Sequence, residues 1–143
     1  MLQIILSFIK LSYFVIISPK GGEIMDIHHK LMFECFELAT KSHNEFYCNN
    51  DPENFSEYER ELKKINSLSL LDQAFTCAKL SEYHYSFMCD FQDDNFEHLL
   101  NEFKIFNATM HKALSKNFYY EALDHTFDSF HERCSEYFDT FSE

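Results

Sequence analysis

Four acids near the C-terminus, Asp124, Asp128, Glu132 and Glu136, recur every four residues. On a helix that step rises ~6 Å, comparable to the spacing of neighbouring phosphates on a nucleic-acid strand. Such a row suits charge recognition of a basic protein, including one whose basic surface ordinarily binds nucleic acid. The same stretch offers a second chemistry. Glu121, His125, Asp128 and His131 follow one another at four- and three-residue steps, and carboxylate and imidazole donors together suit a transition-metal ion.

That metal reading has a specific weakness. A di-iron bundle draws Glu-x-x-His pairs and further glutamates from several helices, and no Glu-x-x-His occurs in this chain. Asp128-Ser-Phe-His131 is the nearest approach. His84, His98 and His111 also fall in helical stretches, and pairs such as Asp94 and His98 arise by chance among 24 acids and eight histidines. The expected place of these histidines is a solvated helix face. Cys77 and His84 do not make a nucleophile pair, because two helical turns separate them by ~10 Å. No catalytic residue and no cofactor are expected.

Both glycines, Gly21 and Gly22, lie near the N-terminus. Phosphate-cradling loops, dinucleotide fingerprints and sharp nucleophile turns need glycine where the backbone takes a positive φ or approaches a ligand closely. Those enzyme classes are excluded for the chain from Ile24 onward. The balance of 12 basic against 24 acidic residues gives a net charge of −12. Phosphate backbones repel such a chain, so direct nucleic-acid binding is not expected. The five cysteines include no CxxC pair. Free, mostly buried thiols are expected rather than a disulfide framework or a zinc ribbon.

The acidic row must be carried by a helix with an apolar opposite side. Leu123, Phe127, Phe130, Cys134, Tyr137 and Phe141 supply it at alternating steps of four and three, predicting a helix over 118–143. Asn117 separates it from a helix over 94–116, whose stripe is Phe96, Leu100, Phe103, Phe106, Met110 and Leu114 and whose start is capped by Asp94 with Glu97. A helix over 26–48 buries Ile27, Leu31, Cys35, Leu38, Ser42 and Phe46, widened by Met32, Phe36 and Ala39. Phe55, Tyr58, Leu62 and Ile65 line the next helix, started by a Ser56–Glu59 capping box. A weak break at Asn66-Ser67, with Ser69 and Asp72 as a new cap, predicts a separate helix over 70–89 that buries Leu71, Phe75, Ala78 and Tyr85. Glu82 falls on that same face.

Residues 1–19 are apolar but interrupted by Lys10, short for the ~20 apolar residues of a membrane span. Lys20 to Met25 back-translates as a purine-rich ribosome-binding sequence of bacterial type ahead of a start codon. The segment 1–24 is therefore read as a mis-assigned start, with a membrane anchor as the alternative. N-terminal mass spectrometry decides between them, since a peptide spanning Lys20 to Met25 refutes the first. The expectation is an all-α fold: residues 25–143 form a single compact bundle of four to five antiparallel helices with a Phe/Tyr core. No family resemblance is evident. Its expected role is that of a small acidic cytoplasmic interaction protein binding a basic partner through Asp124, Asp128, Glu132 and Glu136, of inhibitor, immunity, antitoxin or anti-defence type. A homo-oligomer is compatible with the sequence, and no membrane contact is expected if the chain starts at Met25. The alternatives are a metal- or cofactor-binding helical enzyme using Glu121, His125, Asp128 and His131, and a membrane-tethered helical protein.

Overall fold

A chain so poor in breakers forms long helices. The computed structural model describes residues 26–49, 51–88 and 92–141, and among the described residues there are four helices and no strand. They are α1 (Ile27–Asn49), α2 (Glu57–Ser86), α3 (Asp94–Lys116) and α4 (Glu121–Asp139). The segment 1–24, the expected mis-assigned start or anchor, lies outside the described residues, as does Cys89. No helix among the described residues is long and apolar enough to cross a membrane.

The helix ends follow local side-chain chemistry. Ser56 and Glu59 close a complete capping box at the start of α2. Asp93, one residue before the expected cap, accepts from the Phe96 backbone N–H at 3.1 Å and starts α3. Asn117 ends α3 in the left-handed conformation, φ 56°, which asparagine tolerates better than most residues.

The expected break at Asn66-Ser67 does not occur; α2 is one helix of 30 residues. Ser67 is fully buried against α1. Its hydroxyl donates to the Ser42 carbonyl at 2.8 Å, and the Ser42 hydroxyl donates to the Ser67 carbonyl at 2.7 Å. Ser and Asn cost a helix interior only about half a kcal/mol each, and this reciprocal pair offsets that amount. Ser67, Leu71, Ala74, Ala78 and Ser81 form the buried seam of α2. Their mostly small side chains let α1 pack closely along it.

All four neighbouring pairs run antiparallel. Between α1 and α2, His28 meets Ser81, Ser42 meets Ser67, and Glu45 meets Lys63. Between α2 and α3, Tyr85 meets Glu97 and Glu82 meets Lys104. Phe96 faces Tyr137 and Phe106 faces Phe127 across α3 and α4. Phe36 faces Phe130 across α1 and α4. In each pair one partner's numbers fall as the other's rise. The result is a closed up-and-down bundle.

The core is aromatic, as its composition demands. Phe46, Phe96, Phe103, Phe106 and Phe130 are completely enclosed, and Phe106 stacks on Phe130 at 5.9 Å. Tyr58 and Ile65, expected to line this core, are instead 72% and 61% exposed. Ile65 and Leu68 line an open groove with Leu114 and Ser115 at the last turn of α3, so this part of α2 flanks the end of that helix without being covered by it. Phe75, another expected core residue, is 40% exposed. Glu82 is an edge residue, paired with Lys104 at 3.0 Å. Cys35, Cys77 and Cys134 are free and buried, and burial pushes the Cys77 thiol up to about 12. Such a thiol is inert.

Candidate functional site

α4 separates its two characters cleanly. Leu123, Phe130, Cys134, Tyr137 and Phe138 are buried, while Asp124, Asp128, Glu132 and Glu136 are all exposed. Four residues turn a helix slightly more than once, so the row drifts ~120° around the axis while it climbs ~18 Å. The drift is visible in its neighbours. Asp124 and Asp128 act electrostatically on His43 of α1. Glu136 stands at the other edge, on the rim of a 300 Å³ cleft with Asp93 and Asn95 of the α3 start. The acidic row thus crosses the outer face of α4 diagonally, from its α1 side to its α3 side.

The four acids are not equivalent. Asp124 accepts a hydrogen bond from the Tyr119 hydroxyl. That hydroxyl in turn lies 2.8 Å from Nε2 of His43. With Tyr119 donating to the carboxylate, its oxygen accepts from His43, which fixes the proton on Nε2. The imidazole lies flat on the Phe127 ring, 3.8 Å away and 2° from parallel. Its Nδ1 is buried without a hydrogen-bond partner. Burial lowers the pKa of His43, against the opposing pull of Asp124 and Asp128. Burial and the bond to Asp124 push the Tyr119 phenol well up. Asp124 is therefore part surface charge and part anchor of a buried relay. Asp128, Glu132 and Glu136 make no hydrogen bond or ion pair among the described residues.

α4 carries six acids against one arginine. Arg133 lines the same cleft as Glu136 and lies 3.9 Å from Glu102 of α3, whose other oxygen accepts from Ser129 at 2.9 Å. The last turn of α4 has no basic residue, so its negative dipole end adds to the field of the row.

The alternative metal set is only partly assembled. His125 and Glu121 approach to 3.5 Å on the exposed face. His131 turns toward the rings of Phe36 and Phe127 instead. Among the described residues, one group of three donors converges within 4.8 Å, and it is Asp26, His28 and His29 at the start of α1.

His28, His29 and His43 are buried, and none of the three is among the residues expected to form a site. The signal was available in part. His28 and His43 fall in phase with Met32, Cys35, Ala39 and Phe46, and a histidine on an apolar stripe is a candidate for burial. The link from His43 through Tyr119 to Asp124 carries no such signal. No family model, no curated protein and no solved structure matches this chain.

Proposed function

We propose that this chain is a small acidic interaction protein that docks a basic partner protein through the outer face of α4. The observation that carries the reading is the state of its acids. Asp128, Glu132 and Glu136 are exposed and unpaired among the described residues, on a helix that carries six acids and a single arginine, itself 3.9 Å from Glu102. Like charges one turn apart cost a few tenths of a kcal/mol per pair, and acids at a helix C-terminus oppose its dipole. A row that weakens its own helix is well suited to a cationic surface supplied from outside. The partner class is a basic protein, including one that itself binds nucleic acid, and the role is that of an inhibitor, immunity, antitoxin or anti-defence protein.

The test leaves Asp124 in place, because it also holds Tyr119. The triple variant Asp128→Asn, Glu132→Gln and Glu136→Gln is compared with wild type in pull-downs from the host lysate at low and high salt. A partner retained by wild type at low salt should be lost by the variant. It should also be released as the Debye length shrinks from ~10 Å at 0.1 M to ~3 Å at 1 M. A partner held equally by both proteins at both salts refutes electrostatic docking.

A further inference from the structure

The start of α1 buries two adjacent histidines. His28 is 1% exposed and His29 is 6% exposed, and their ring centroids lie 3.9 Å apart. The walls around them are aromatic. Phe96 meets His28 edge-on at 4.9 Å, and His29 faces Phe141 at 4.7 Å and Tyr137 at 5.7 Å. Nε2 of His28 and both ring nitrogens of His29 are buried without a hydrogen-bond partner. A neutral imidazole has one N–H and one lone pair, and each buried polar group left unpaired costs about 1–3 kcal/mol. Side chains of this kind call for an occupant that uses the lone pairs. One donor atom each from Asp26, His28 and His29 lies within 4.8 Å of the other two.

We propose that Asp26, His28 and His29 bind one divalent transition-metal ion of the zinc class. Two imidazole nitrogens and a carboxylate oxygen fill three positions and leave a fourth for water or an external ligand. The imidazole pair selects against magnesium and calcium, which prefer oxygen donors. Bonds of ~2.1 Å in a tetrahedral site hold donor atoms ~3.4 Å apart. The donor atoms, within 4.8 Å of one another, must draw closer on binding, and the exposed Asp26 gives the ion a way in. Asp93 acts electrostatically on both rings. Its carboxylate is held by the Tyr137 hydroxyl at 2.8 Å and the Phe96 N–H at 3.1 Å, and its charge helps to offset that of the ion. The site involves no residue of the α4 row, so either proposal can fail alone.

The test uses tag-free full-length protein stripped with chelator and titrated with Co²⁺, followed by Zn²⁺ competition. One Co²⁺ per chain is expected, with visible d–d absorption that Zn²⁺ abolishes, and Zn²⁺ should raise the melting temperature. Asp26→Asn and His29→Phe should each weaken binding at least ~tenfold, while His125→Ala should bind as wild type does. Circular dichroism checks the fold of each variant. Should His29→Phe fail to fold, the exposed Asp26→Asn decides. The proposal is overturned if neither ion binds at micromolar concentration, if Asp26→Asn binds as wild type does, or if His125→Ala abolishes binding.

Discussion

Replacing Phe130 with alanine tests the assignment of the two faces of α4. Phe130 is fully enclosed, its ring 5.5 Å from Phe103, 5.9 Å from Phe106 and 6.1 Å from Phe36. It thus joins α4 to both α3 and α1. A buried phenylalanine removes about 150–250 Å² from water, and its aromatic pairs add ~0.5–1.5 kcal/mol each. Alanine keeps a small part of that contact and leaves a cavity that three rigid rings cannot close. The expected loss is about 3–5 kcal/mol, a large share of the ~5–15 kcal/mol available to a small domain. Asp128, two residues earlier, is exposed and unpaired among the described residues. Asp128→Ala should stay within about 0.5 kcal/mol of wild type, with a slight gain as the repulsion from Asp124 and Glu132 is removed. Urea denaturation followed by circular dichroism at pH 7.5 measures both variants, with unchanged m-values as the check that the transition is the same one. Equal losses for the two, or a loss below ~1 kcal/mol for Phe130→Ala, would refute the packing described for α4.

Burial gives His43 a lowered pKa in the folded protein. Its stabilising contribution is therefore complete above the unfolded value of ~6.5 and is lost as pH falls toward the folded value, at a limit of ~1.4 kcal/mol per pH unit. Denaturation midpoints from pH 8 to pH 5 should fall more steeply for wild type than for His43→Phe, and equal slopes would refute the neutral buried state. Tyr119→Phe removes the acceptor of the His43 N–H and should cost about 1–3 kcal/mol in the same assay; a neutral effect contradicts the relay. Ser67→Leu forces a large side chain into the α1–α2 seam and should cost at least ~1–3 kcal/mol, whereas a break at Ser67 would have left it harmless. At the left-handed Asn117, Gly should be neutral or stabilising, and Ala should cost about 1 kcal/mol, read from thermal melts.

Much of the fold was legible because helical periodicity is a local property. The stripe from Phe96 to Leu114, the seam from Leu123 to Tyr137, the Ser56–Glu59 box and the Asn117 stop are each written within a turn or a few turns of chain. Their apolar spacing requires a bundle, and short connections require antiparallel neighbours. What local pattern could not supply was anything set by a residue distant in sequence. Ser67 reads as a breaker until Ser42 of α1 is seen to pair with it. Tyr58 and Ile65 read as core until the bundle is seen to leave them exposed at its edge. The acidic row was visible as spacing, but its diagonal course, and the difference between Asp124 and the other three acids, depend on Tyr119 and His43. His28, His29 and His43 read as polar, yet the bundle encloses them. Composition and periodicity thus determine a helical, acidic, aromatic-cored chain. Tertiary packing alone decides which polar groups are deprived of water, because that deprivation is imposed by neighbours from other helices.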